Sequence, residues 1–385
     1  MGQLVNKISE YWGIIQGSLF PWLEEELDPL TEKQQQLVTI LEVARVEQFL
    51  PDYVGCEGRP QKTRSAIARA FVAKAVYNID TTTLLIERLK TDKNRRRICG
   101  WESRAQLPSE STFSRAFADF ANSKLPQRVH QALIENILGD EIVLHNSRDS
   151  TAIEAREKSQ PKEKEEIEGG SVKRKRGRPK KGEERPALEP KLTRVEKQKT
   201  MTLEEMLSDL PTACDKGAKK DSKGNIMWWN GYKLHLDVID GGIPVSAVIT
   251  SASVHDSQVA IPLATLTAER LTTLYDLMDA AYDIPAIIEH SKKLGRVPFI
   301  DRNPRRNQEL KEGLEDEAKA RKTLNWVPAE ETHYNARTTA ERANSRLKDE
   351  FGVCKVRVRG YVKVSCHLMF GVLVLAVDQL MKLAT

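Results

Sequence analysis

The sequence predicts an α/β fold: a mixed sheet flanked by helices, preceded by a helical N-terminal domain and interrupted by a charged insertion. Three observations lead there. Apolar residues recur at helical spacing through residues 1–138. From residue 139 to 385 the order is strand, hairpin, helix, strand, helix, strand, helix, which builds a mixed sheet covered by helices. Residues 155–222 are crowded with Lys, Glu, Arg and Pro and hold few apolar side chains, the composition of a flexible or partly helical insertion outside the core.

The elements follow in order. Thr31–Phe49 and Thr63–Tyr77 carry apolar residues at helical spacing. Pro108-Ser109-Glu110 opens a further helix with a Phe113, Phe117, Phe120 stripe. Helix, turn and capped helix, with Arg115 on the second, suit either a helix-turn-helix DNA reader or a plain packing domain. Glu141–Asn146 is a β-branched strand running into Asp149. Trp228–Val238 and Ile243–Thr250, joined at Gly241-Gly242, form a hairpin. His255-Asp256-Ser257 caps a helix from about Gln258, Thr272–Met278 is a strand ending at Asp279, Pro285–Leu294 a helix and Val297–Asp301 a strand. Residues 305–333 are charged and carry no clear period. A helix then spans 334–348 and an apolar helix about 361–383.

The net charge of +5 is unevenly placed, because residues 171–185 alone exceed it. Such a basic run on an otherwise near-neutral chain favours an acidic polymer as partner. Within it, Arg176-Gly177-Arg178-Pro179-Lys180 resembles an AT-hook, whose arginines enter a narrow A·T minor groove, although a solvated basic linker has the same composition. The five cysteines are scattered without C-x-x-C spacing, which suggests neither a disulfide framework nor a zinc site. The N-terminus lacks a basic-then-apolar signal, and the strongest apolar run, Leu368–Leu375, is too short to span a bilayer. The expectation is a cytoplasmic, reduced protein with no membrane contact, nucleoid-associated when bound to DNA.

The 334–348 helix carries the chemistry. At about 100° per residue, with Arg337 at 0°, Tyr334 falls near 60°, Glu341 near 40° and Lys348 near 20°. Ala336, Ala340, Ala343 and Leu347 form a second, packing stripe. A lone carboxylate among two cations and a phenol suits a metal ion beside phosphates. Asp149 and Asp279 sit where strands end, the usual place for active sites in such sheets. Three carboxylates converging there would hold two Mg²⁺ or Mn²⁺ ions, hard cations that also bind phosphate oxygens.

Tyr334-x2-Arg337-x3-Glu341-x6-Lys348 resembles the full Y-R-E-K signature of DDE transposases of the bacterial insertion-sequence-four type. Asp279-Ala280-Ala281-Tyr282-Asp283 resembles that family's second-aspartate segment, and Asp149-Ser150-Thr151 its first. Gly231-Tyr232-Lys233, Ile243-Pro244 and His255-Asp256 are similar to its landmarks between them. The resemblance implies an RNase H-like catalytic core with Asp149, Asp279 and Glu341 as metal ligands. It further implies that Tyr334, Arg337 and Lys348 contact DNA phosphates near a cleaved transposon end. Arg and Lys neutralise phosphate, and Tyr can donate to a phosphate oxygen or stack on an unpaired base.

Other readings stay open at each position. Glu341 also fits an exposed i,i+4 pair with Arg337. Asp276 and Asp283 rival Asp279, Asp149 could be a cap, and His255-Asp256 could support the site or cap a helix. Trp228-Trp229 could be core aromatics or base-stacking groups. The expected function is a DNA transposase that binds terminal inverted repeats, cleaves the ends by two-metal hydrolysis and joins 3′-hydroxyls to target DNA, as a homodimer in a synaptic complex. The helical domain and the basic residues Arg176, Arg178 and Lys180 would bind DNA. The alternatives are a decayed or domesticated, non-catalytic DNA-binding protein and a general nuclease on the same fold.

Overall fold

The computed structural model describes residues 29–51, 64–159, 192–220, 224–305, 307–354 and 356–384. The expected α/β architecture is present, with a six-stranded mixed sheet at its centre. Its strands are β1 (Ile142–Glu154), β2 (Asp215–Lys220), β3 (Ile226–Ile239), β4 (Ile243–Ser251), β5 (Thr272–Met278) and β6 (Val297–Ile300). β1 lies between antiparallel β3 and parallel β5, β6 extends the parallel side, and β4 returns antiparallel along β3. This mixed order is consistent with the RNase H-like core that the resemblance implies. The expected hairpin closes through Gly241 and Gly242, both at positive φ, a conformation glycine adopts without a Cβ penalty.

The N-terminal helices are α1 (Glu32–Ala44), α2 (Arg64–Val76), α3 (Thr82–Thr91), α4 (Lys93–Cys99), α5 (Glu110–Asn122) and α6 (Leu125–Leu138). Thr31 and Gln34 close a capping box on α1, pairing two otherwise orphaned N–H groups. The Phe113, Phe117, Phe120 stripe is buried and gathers around Phe71. Of these, α1, α2, α5 and α6 pack against the last helix, α14 (Tyr361–Ala384), which also covers β4. One hydrophobic core therefore runs from Leu37 through Phe71 and Phe370 to Leu236. His130 on α6 adds a 2.8 Å hydrogen bond to the Pro244 carbonyl on β4. The boundary expected near residue 138 is thus continuous in packing.

The apolar run Leu368–Leu375 is the centre of α14, the apolar helix expected over about 361–383. Tyr361–Leu383 is long and apolar enough to cross a bilayer by length and composition, but it is mostly buried against protein. Its apolarity is accounted for by packing on nearly all sides.

The opposite sheet face carries α7 (Arg194–Lys197), α8 (Leu203–Asp209), α9 (Ala260–Ala268) and α10 (Pro285–Lys293). Val195, Met206, Ile261, Met278, Tyr282 and Ile287 form a second apolar cluster there. Here the structure corrects the reading of residues 155–222 as lying wholly outside the core. Residues 192–220 supply α7, α8 and strand β2. Their capping boxes at Thr193 and Thr202 and a few buried apolar anchors suffice to order a charged sequence. The AT-hook-like residues Arg176, Arg178 and Lys180 lie outside the described residues.

Two further differences lie near the C-terminus. Residues 308–324, which carry no clear period, form α11 (Gln308–Leu324), a helix without a buried residue, so nothing imposes an apolar stripe on it. The helix expected over 334–348 is two: α12 (Ala329–Asn335) and α13 (Thr338–Glu350). Between them the ladder tightens to i→i−3 bonds, from Ala336 to His333, Arg337 to Tyr334 and Ala340 to Arg337. The Ser147 hydroxyl on β1 donates to the Ala336 carbonyl at 3.2 Å, a partner from outside the helix at the point where the regular ladder is interrupted.

Candidate active site

β1 continues through Asp149 instead of ending before it, because residues 146–154 pair along their length with β3. The period of two then sorts its side chains. Asn146 and Arg148 face one way, into a fully buried polar network. Arg148 makes a bidentate pair with Asp237, both bonds 2.8 Å, and Asp276 accepts from Asn146, Ser291 and Arg296. Asp276, one of the rivals to Asp279, is therefore a buried structural carboxylate. Asp283, the other, accepts the Asn303 backbone N–H at 2.9 Å.

Ser147 and Asp149 face the other way, toward α13. Asn344 donates to Asp149 Oδ2 at 2.9 Å. On the α13 wheel Asn344 falls about 20° from Arg337, on the same stripe as Glu341 and Lys348. That single bond turns the charged stripe toward β1. The packing stripe of Ala340, Ala343 and Leu347 is fully buried, as the sequence predicts.

Asp279 follows β5 and accepts the Ala281 backbone N–H at 2.9 Å, capping a short 3₁₀ turn. Burial raises the Asp149 carboxyl pKa; Ser150 and Lys219 oppose this, and the Asp279 charge adds to it. Burial also raises Asp279, with the nearby Asp256 charge adding and the cations Arg337 and Lys219 opposing. Burial opposes the charge on Arg337, but Tyr334, Glu341, Asp149 and Asp279 together outweigh it and raise its pKa. Arg337 is thus the electrostatic meeting point of all three carboxylates singled out in the sequence.

Glu341 itself is half-exposed and pairs with Arg337 at 2.8 Å, the i,i+4 arrangement that the sequence left as its alternative. Among the described residues no group of three or more His, Cys, Asp or Glu is gathered tightly enough to hold a metal. The donor chemistry nevertheless fits a hard divalent cation. Asp149 and Asp279 are oxygen ligands whose negative charges are disfavoured by burial, a penalty a cation would relieve. The exposed Arg337–Glu341 pair is worth only about 0.3–0.5 kcal/mol, so it offers little resistance to exchange.

Tyr334 donates to Asp301 Oδ2 at 2.6 Å and borders an open groove of about 1150 Å³ between β6, α11 and α12. Burial, reinforced by that hydrogen bond, raises its phenol pKa. α12 is fastened to the sheet by His333, whose Nδ1 meets His145 Nε2 at 2.8 Å while His145 Nδ1 donates to Asp240 at 2.9 Å. Lys348 is half-buried, near Lys219 and Glu154.

The Gly231-Tyr232-Lys233 and His255-Asp256 segments meet in space. Lys233 Nζ lies 2.9 Å from Asp256 Oδ1, and Asp256 acts on Asp279 from behind. His255 caps the following turn, the helix-cap role that the sequence left open for this segment. Trp229 is buried and donates to the Tyr232 carbonyl, whereas Trp228 is exposed. Sequence reasoning missed Asn344 and Lys219, and gave Lys233 only as part of a landmark of the resemblance. Asn344 was recoverable from the helical wheel; the placement of Lys219 had no local signal.

β1 and β5 run side by side, Asp149 lies within β1, Asp279 directly follows β5, and α13, led by Arg337 and bearing Glu341 and Lys348, is tied to Asp149 through Asn344. Residues 149–377 match the family described as Transposase DDE domain, and residues 23–119 match that described as Transposase domain (DUF772). The first match spans more than half of the chain, which therefore belongs to the DDE transposase family. That family comprises metal-dependent enzymes that cut DNA. No curated protein and no solved structure matches the chain.

Proposed function

We propose that this transposase is of the insertion-sequence-four type, and that Asp149, Asp279 and Glu341 hold two divalent ions, Mg²⁺ or Mn²⁺. The observation that carries the reading is the Asn344–Asp149 hydrogen bond, which holds the helix of the Arg337–Glu341 pair against β1. Bound there, the ions would activate the attacking oxygen and stabilise the leaving one. The chain's own residues then have distinct tasks. Arg337 and Lys348 neutralise phosphates of the reacting strand. Tyr334 donates a hydrogen bond or stacks beside the groove it borders; hydrolysis by water needs no covalent protein–DNA intermediate, so Tyr334 need not be a nucleophile.

Water attacks the phosphorus at each element end, breaking the P–O3′ bond and freeing a 3′-hydroxyl. That hydroxyl then attacks a target phosphodiester and displaces its 3′-oxygen. Two ends must be joined together, so a homodimer in a synaptic complex is the working form. The helical region 1–138 and the basic residues Arg176, Arg178 and Lys180 bind the terminal inverted repeats. The 139–385 region carries out the chemistry, and the protein acts in the cytoplasm, on the nucleoid.

The test is incubation of the full chain with Mg²⁺, a duplex carrying the repeats that bracket its gene, and a supercoiled plasmid. Joined products are expected. Cut ends without joining would favour a general nuclease, and binding without cutting a decayed transposase.

A further inference from the structure

The chain that leaves β1 runs beside the chain that enters α14. Ala155 continues the β1 ladder, its N–H donating to the Asn230 carbonyl at 2.9 Å, and pairs in parallel with Val356. Two residues on, Glu157 accepts the Gly360 N–H at 3.1 Å and the Tyr232 hydroxyl. These two links confine Arg156 on one segment and Arg357 and Arg359 on the other. Two Cα–Cα steps and one interstrand gap put Arg156 and Arg357 at most about 12 Å apart at Cα. Val356 is buried and Val358 packs against the main core, so the period of two turns Arg357 and Arg359 outward. Gly360, at positive φ, ends this short extended run ahead of α14.

All three arginines are exposed, and among the described residues none has a hydrogen bond or an ion pair. Arg194, Arg321 and Arg346, by contrast, each close on a carboxylate. Glu157, the acid that follows Arg156, has both oxygens occupied by other donors. Like charges held side by side repel and weaken the segment that carries them. A tethered backbone presenting three unpaired guanidinium groups is therefore a cost to folding and suits an anionic polymer. Its place in the fold favours duplex DNA. Asp149 and Ala155 are six residues apart on one extended chain, about 20 Å. At about 3.4 Å per step of a DNA strand, that span is about six base pairs.

We propose that Arg156, Arg357 and Arg359 form a docking surface for backbone phosphates of the duplex beyond the cut site, about six base pairs from the reacting phosphate. The assignment rests on the function proposed above, which places that phosphate at Asp149. Guanidinium forks bind phosphate oxygens in pairs, and such contacts fix the register of a duplex without reading its bases. The surface anchors the duplex, so that the strand reaching the carboxylates keeps its place during cutting and joining.

The experiment uses the full chain, the triple variant Arg156→Ala/Arg357→Ala/Arg359→Ala, the same triple to Lys, and the single variants Lys293→Ala and Asp279→Asn. Binding to a non-specific duplex is measured against salt, and phosphate-ethylation interference is mapped on a duplex carrying the bracketing repeats. At about 0.9 per phosphate contact, the Ala triple is expected to flatten the log–log salt slope by about 2–3 and to weaken binding about 100-fold in physiological salt. The Lys triple keeps the charges and should keep the slope, which a merely structural role would not predict. Lys293→Ala, whose ammonium pairs with Glu289 on α10, should match the parent. Interference at phosphates about six base pairs from the cut should appear in the parent and vanish in the Ala triple. A parental slope in the Ala triple, an equal loss in the Lys triple, or interference unchanged in the Ala triple would overturn the docking surface. If the parent and Asp279→Asn were equally inert in cleavage with Mg²⁺, the catalytic reading would fail, while the salt slope would still decide whether the arginines meet phosphate.

Discussion

Replacing Arg148 with Met removes both hydrogen bonds from a guanidinium to a carboxylate that has no exposed surface. Asp237 Oδ2 keeps Asn146 and Thr267 as donors at 3.0 and 2.7 Å. Oδ1 loses Arg148 Nε, its partner at 2.8 Å. Removing one member of a buried pair costs about 3–5 kcal/mol, because a charge is left uncompensated. The two remaining donors place Arg148→Met near the lower end, about 3 kcal/mol, a large share of a usual total stability of about 5–15 kcal/mol. Urea unfolding at neutral pH reads this as a lower midpoint. Arg148→Met/Asp237→Asn, which has no stranded charge, should regain at least about 1 kcal/mol. A single variant within about 1 kcal/mol of the parent, or no gain in the double variant, would refute the claim that this pair supports the strand carrying Asp149.

Asn344→Ala frees Asp149 Oδ2 and lets α13 drift, so cleavage should fall about tenfold or more with DNA affinity nearly unchanged; equal cleavage would remove Asn344 from the site. Gly231→Ala puts a side chain at positive φ against the Ile153 carbonyl and should cost about 1–3 kcal/mol, read by thermal unfolding; a parental midpoint would contradict this. Glu42 is buried, which raises its pKa from 4.5 to about 7. Its charged form is the penalised one, so stability is full below about pH 4.5 and declines as pH rises through about 7. Glu42→Gln should therefore melt higher than the parent at about pH 8 and equally at about pH 4; a gain at both would contradict the assignment.

The hairpin, the capped helices and the strands at 272–278 and 297–300 were legible because each has a local cause: alternation, a cap, a glycine turn. Asp149 and Asp279 were legible as acids at strand ends, although β1 runs further than its apolar part because residues 148–154 are held by pairing with β3. What was not legible depends on distant partners. The break before Arg337 coincides with a hydroxyl from β1. β2 reads Asp-Lys-Gly-Ala-Lys-Lys, with little intrinsic strand preference, and is a strand because β3 offers it an edge. α11 buries no residue and so carried no period. Asn344 lay on the stripe already drawn but does not titrate, and attention to charge alone passed over it.

The most direct test of the catalytic assignment is metal-dependent cleavage of a duplex carrying the element's own ends. The parent is compared with Asp149→Asn, Asp279→Asn and Glu341→Gln at matched DNA occupancy. The account predicts that the parent cuts with Mg²⁺ or Mn²⁺ to leave 3′-hydroxyl ends, and that each variant binds as the parent does but cuts at least about 1000-fold more slowly. Parental cutting by Asp279→Asn or Glu341→Gln would contradict it.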